Sequence, residues 1–158
     1  TVLETKAAKS CEVLTVNFIE LDIFATHPKV KRDTYCRYVG KGGDCTPREN
    51  EVVITSNWPE TREELANLLR KCILLRSCDN YSAITTEARL CGCPVVIVNA
   101  LPEDTYRIND KLSGLALNDT QEEINKAKAT VIEFTYDYYV QMNLFDKQLA
   151  EFIEVTQK

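Results

Sequence analysis

Short apolar runs separated by polar turns occupy the chain up to about Val98, and a long helical pattern follows from Thr120. The first run, Val13 to Ile19 followed by Leu21, Ile23 and Phe24, suits either a strand or a short helix. His27-Pro28 and Lys29 to Asp33 then read as a basic loop. Tyr35-Cys36-Arg37-Tyr38-Val39 is aromatic and β-branched and stops at Gly40-Lys41-Gly42-Gly43, which predicts a strand with a glycine-rich exit. Val52-Val53-Ile54 predicts a short buried strand ended by Asn57-Trp58-Pro59. Thr61 and Glu64 stand at the spacing of a capping box, and Leu65, Leu68 and Leu69 recur at helical intervals, so a helix is expected to about Lys71. Cys72 to Leu75 is the next strand, Asp79 to Ser82 a turn, and Ala83 to Leu90 a short helix closed by Gly92 in the left-handed position. Pro94-Val95-Val96-Ile97-Val98 lacks alternation, as a strand covered on both faces does.

Residues 99–119 read as loop. From residue 120 to 158 no Gly or Pro interrupts, and Ile124, Ala127, Val131, Phe134, Tyr138, Phe145, Leu149, Phe152 and Ile153 can line one side. This stretch is one long helix or two with a bend near Asn143; Tyr136, Tyr138 and Tyr139 are expected on its packing face. Strands alternating with helices predict βαβ units. The fold class is therefore α/β: a Rossmann-like parallel sheet flanked by helices, with a long C-terminal helical segment.

A chain of 158 residues suits one domain, so residues 1–158 are taken as a single unit. The net charge of -5 gives no reason to sit on nucleic acid or an anionic membrane, so any anion must be held locally. No apolar run approaches the ~20 residues of a transmembrane segment. Thr1 to Lys6 shows no signal-peptide core, and the missing initiator Met suggests a processed or partial chain. The seven cysteines are odd in number and irregularly spaced, which favours reduced, buried thiols and a cytoplasmic protein. Cys91-Gly92-Cys93 is too tightly spaced for a zinc knuckle, and the single histidine, His27, reads as a loop residue rather than a base.

The segment that carries chemistry runs from Asp79 to Val96. Asp79 follows a strand, and Glu87 lies about one turn into the next helix. Between them, backbone amides at the helix start can meet an anion. Carboxylates on either side are matched to hydroxyls, because an ionised oxygen accepts strong bonds from OH donors. A solvated Glu87 and an Asp79 that only caps the helix would give the same spacing.

This segment resembles the donor-binding motif of retaining GT-B glycosyltransferases: two acids separated by seven residues, then Glu-Ala-x-x-x-Gly-x-Pro-Val-Val. Glu87-Ala88, Gly92, Pro94, Val95 and Val96 fit in register, most closely over residues 61–98. Asp79 stands where that family usually has Glu, and Asn80-Tyr81-Ser82 replaces its glycine-aromatic-glycine. The resemblance implies that Glu87 binds the ribose of a nucleotide sugar and Asp79 the donor sugar. Amides around Tyr81 to Ala83 would meet the phosphates, with Lys41 as an auxiliary cation. It implies transfer of the sugar to an acceptor glycan or other hydroxyl compound, as in polysaccharide biosynthesis. No cofactor and no metal is expected, since positive groups and helix dipoles stabilise the leaving diphosphate. The chain would be the C-terminal half of a two-domain enzyme, inactive without its N-terminal domain. Attachment to the inner membrane face would be left to the rest of the protein. No general base is visible. A non-catalytic scaffold or sugar-nucleotide-binding module is the alternative. A flavodoxin-like signalling domain would need an acidic pocket around a phosphorylatable Asp, which the sequence does not display.

Overall fold

The computed structural model describes residues 19–40, 45–79, 82–98, 100 and 112–157. Two compact units divide the chain. The larger, Ile19–Tyr136, holds a five-stranded sheet and its flanking helices. Its elements are β1 (Thr34–Val39), β2 (Glu51–Thr55), α1 (Arg62–Lys71), β3 (Cys72–Ser77), α2 (Ile84–Leu90), β4 (Val95–Ile97) and β5 (Leu115–Ala116). A last helix, α3 (Gln121–Thr156), begins in this unit and supplies the described residues of the other.

Every strand pair is parallel, in the order β2-β1-β3-β4-β5. This is a doubly wound α/β fold, in the order also found in flavodoxin-like sheets. β4 is buried along its length and β3 nearly so. Leu74, Val96 and Ala116 cluster with Ile124 and Ala127 of α3. Their strand neighbours Leu75 and Val95 point the other way, because side chains alternate across a strand. Both are fully buried, so the centre of the sheet is covered on both faces.

The expected capping box forms. Thr61 Oγ1 accepts from the Glu64 amide and Glu64 Oε2 accepts from the Thr61 amide, each at 3.2 Å. Ala66 and Leu69 face the core, Glu63 and Glu64 sit in the first turn, and Arg70 and Lys71 in the last, as the helix dipole favours. After α2 the chain reverses at Gly92, whose φ is 74°. A Cβ there would fall 2.8 Å from Arg32 Nη2. The close approach exists because Arg32 gathers three carbonyls: Nη1 donates to Leu69 and Cys72, Nη2 to Cys91. The basic loop before β1 is thus fastened to the ends of α1 and α2. Arg70 returns the favour, donating to the carbonyls of Ala25 and Ile23.

Several expectations are corrected. β5 lies inside the stretch read as loop; two residues are too few to show a period. Cys45 and Cys78 form a disulfide, with Cα atoms 5.6 Å apart. The pair was hidden because 33 residues separate its members, while neighbouring strands bring their ends together. Cys36, Cys72, Cys91 and Cys93 are free and buried, as expected; Cys11 lies outside the described residues. α3 runs on past Asn143 as one helix. Of its three tyrosines only Tyr138 is buried; Tyr136 and Tyr139 are exposed, since at 100° per residue they point away from the stripe of Ala127, Phe134 and Tyr138. Residues 13–18 of the first apolar run lie outside the described residues. No helix among the described residues is long and apolar enough to cross a membrane.

Candidate functional site

In a parallel sheet all carboxyl ends lie along one edge, and here the order reverses beside β1, between β1 and β3. Gly40 leaves β1 and Cys78-Asp79 leave β3 at that point. The Cys78 amide still donates to the Tyr38 carbonyl at 3.1 Å, which holds the two exits side by side. Asp79 is then turned by Ser77: the Ser77 hydroxyl donates to the Asp79 carbonyl at 2.7 Å and accepts from the Asp79 amide at 3.3 Å. As a result the Asp79 side chain lies directly on Gly40. A methyl group at Gly40 would fall 2.7 Å from Asp79 Cβ and closer still to the carboxylate.

Glu87 is the fourth residue of α2, as its sequence position predicts. Its side chain is only 4% exposed, and Oε1 accepts from Arg62 Nη1 at 2.9 Å. Oε2 makes no hydrogen bond among the described residues. Arg62 is half-exposed, stacks over the Phe24 ring with its guanidinium carbon 4.7 Å from the centroid, and lies 3.5 Å from Glu20. At the start of α2 the amides of Thr85, Thr86 and Glu87 donate to the carbonyls of Ser82 and Ala83. The amides of Ser82, Ala83 and Ile84 precede these in the chain and make no backbone bond among the described residues. The structure therefore brings Asp79 against Gly40 and Glu87 against Arg62, at two exits on one edge. Lys41, Asn80 and Tyr81 lie outside the described residues.

Burial pushes the Glu87 carboxyl above its ordinary value of 4.5, against the downward pull of Arg62. The folded protein then holds this proton more tightly than the unfolded chain. The stability that follows is complete below the ordinary value and is lost as pH rises through the raised one. Urea denaturation from pH 4.5 towards neutrality should show wild type losing stability relative to Glu87→Gln. Parallel curves for the two proteins would mean that the carboxyl is fully solvated.

Two features escaped the sequence reading. Arg62 is one; a cation in the first turn of a helix opposes the macrodipole, and that misfit was its only local signal. The other is a buried charge network on the α3-facing side of the sheet. Glu51 reaches from β2 across β1 to Arg76 on β3, with Nη1 at 2.8 and 3.0 Å from its two oxygens. Arg37 Nε stands 3.8 Å from Glu51 Oε2, and Asp119 Oδ2 lies 3.3 Å from Arg76 Nε and 2.6 Å from Arg48 Nη2. Arg37 also donates to the Cys45 carbonyl at 2.9 Å and Arg76 to that of Thr46 at 3.3 Å. These bonds and the disulfide fix the chain returning from β1 beside the end of β3.

Two of the free thiols, Cys91 and Cys93, are chemically quiet. Burial pushes Cys91 up to about 12 and Cys93 well above the ordinary thiol range, so neither offers a thiolate at neutral pH. No group of three or more His, Cys, Asp or Glu among the described residues is placed to hold a metal. His27 is exposed in a turn.

Comparison with known protein families, curated proteins and solved structures finds no match to this chain.

Proposed function

We propose that this chain is the donor-binding half of a GT-B-type glycosyltransferase, moving a sugar from a nucleoside diphosphate to an acceptor hydroxyl once joined to an N-terminal domain. The observation that carries this is the acidic pair at the carboxyl edge. Asp79 sits on Gly40 where strand order reverses, and Glu87 follows four residues into the next helix. On this proposal Glu87 Oε2 accepts from the ribose hydroxyls while Arg62 holds Oε1 and aims the carboxylate. Asp79 accepts from a hydroxyl of the donor sugar. The amides of Ser82 to Ile84 and the exposed side of Arg62 face the diphosphate and stabilise the charge that grows on it as it leaves. Gly40 has no side chain, which leaves room for the Asp79 carboxylate at the end of β1. Lys41, Asn80 and Tyr81 join this site through the family resemblance alone.

The near-complete burial of Glu87 favours a second reading, in which the pair with Arg62 only fastens α1 to α2 and the domain is a non-catalytic scaffold. Thermal unfolding with UDP, GDP, ADP and dTDP, free and sugar-linked, separates the two. A donor site predicts that one nucleotide raises Tm, by the equivalent of about 2.7 kcal/mol at a hundredfold excess over Kd. Glu87→Ala should abolish that rise. No rise with any nucleotide near millimolar concentration leaves the scaffold.

A further inference from the structure

The larger unit carries a groove remote from the acidic pair. Its volume is about 330 Å³, within the range of small-molecule sites, and Trp58, Pro59, Glu64, Asn67, Leu68 and Lys71 line it. At 100° per residue, Glu64, Asn67, Leu68 and Lys71 share the side of α1 opposite Ala66 and Leu69, the pair that faces the core. Arg62 lies on the same side as Ala66 and Leu69, so the groove and the Arg62–Glu87 pair are separated by the body of the helix. Trp58 presents nearly half its surface to solvent from the turn after β2. An indole left this open beside a concavity is an unused apolar platform.

The polar groups around it are largely uncommitted. Asn67 spends its Oδ1 on Arg70 Nη1, and its NH2 group makes no bond among the described residues. Glu64 uses Oε2 for the Thr61 cap, which leaves Oε1. Lys71 has no ion-pair partner among the described residues. The lining thus offers an aromatic face, two sets of N–H donors and one carboxylate oxygen, and its charges, one of each sign, cancel. A charged ligand gains nothing there from net field. A ligand with an apolar face and hydroxyl edges satisfies all of it: CH groups against the indole, hydroxyls accepting from Asn67 and Lys71, and one hydroxyl donating to Glu64.

We infer that this groove binds a neutral saccharide. Binding here does not depend on the donor-site proposal, because the two sites lie on opposite sides of α1. A saccharide held at Trp58 would tether a glycan to the domain without entering the carboxyl edge.

Trp58 is the single tryptophan in the chain, so its emission reports on this groove alone. Titration of the full chain with maltose, cellobiose and N,N′-diacetylchitobiose should give, for at least one, a saturable blue shift and reduced quenching by acrylamide. Asn67→Ala, exposed and far from the core, should weaken that binding about five- to tenfold, as loss of a hydrogen bond does. Glu64→Gln keeps the cap, because glutamine also closes a capping box, and should weaken it too. UDP should leave the emission unchanged whether or not it raises Tm. The inference is overturned if no saccharide moves the emission or if the shift persists undiminished in both variants. It is overturned equally if UDP produces the shift, which would make the indole a base-stacking surface.

Discussion

Glu51→Ala is expected to cost about 3–5 kcal/mol of folding stability, the typical penalty for removing one partner of a buried ion pair. The carboxylate is 4% exposed, and the arginine side chains it neutralises, Arg37 and Arg76, are 8% and 6% exposed. Without Glu51 two guanidinium groups stand in adjacent register on the same face of β1 and β3. Asp119, one-fifth exposed, stays 3.3 Å from Arg76 Nε but is shared with Arg48. Water cannot easily replace the lost carboxylate, so Arg76 loses its closest counter-charge while staying desolvated. Domains of this size have a total of about 5–15 kcal/mol to lose, so the variant should be partly unfolded at ordinary temperature. Glu51→Gln, which keeps the shape and one acceptor, should fall between the two proteins. Urea midpoints at unchanged slope measure the effect. A loss below about 1 kcal/mol would show that solvent reaches the network and that its burial has little energetic weight.

Gly40→Ala should cost about 1–3 kcal/mol through overpacking and, with it, the nucleotide-dependent rise in Tm. The added methyl group meets Tyr38 Cε1 and Asp79 Cβ at 2.7 Å, and the Asp79 carboxylate more closely. The Tyr38 ring can turn aside while its backbone stays paired with Ile54, but Asp79 Cβ is fixed to the main chain leaving β3. Asp79 must therefore move, and its carboxylate leaves the switch point. A variant that folds with somewhat reduced stability and still binds a nucleotide as tightly as wild type would remove Asp79 from the donor site. Calorimetric titration of that variant, at a temperature where it remains folded, decides between the outcomes.

The framework was legible wherever its signal is local. Thr61 and Glu64 are three residues apart and bond each other; Gly92 takes the left-handed conformation its place after Leu90 demands; Val95 to Ile97 lack alternation and are buried on both faces. What stayed hidden depends on partners distant in sequence. Arg62 and Glu87 are 25 residues apart, Glu51 and Arg76 also 25, Cys45 and Cys78 33. Nothing local marks Arg37 and Arg76 as partners of one glutamate, because only the sheet order brings Glu51 of β2 to both. The expectation of reduced thiols rested on the odd number and irregular spacing of the cysteines, and two of them are nonetheless bonded. In the candidate site, Asp79 and Glu87 were found from spacing, but spacing carries no information on burial. The partner that desolvates and orients Glu87 could be seen only in three dimensions.

Arg32 has a consequence for how the domain comes apart. Its guanidinium joins the last turn of α1, the first residue of β3 and the residue that ends α2. Helix ends ordinarily fray one at a time, each at little cost. Here neither can loosen without releasing bonds that also secure the other, so a single side chain from the preceding loop merges two local openings into one cooperative event.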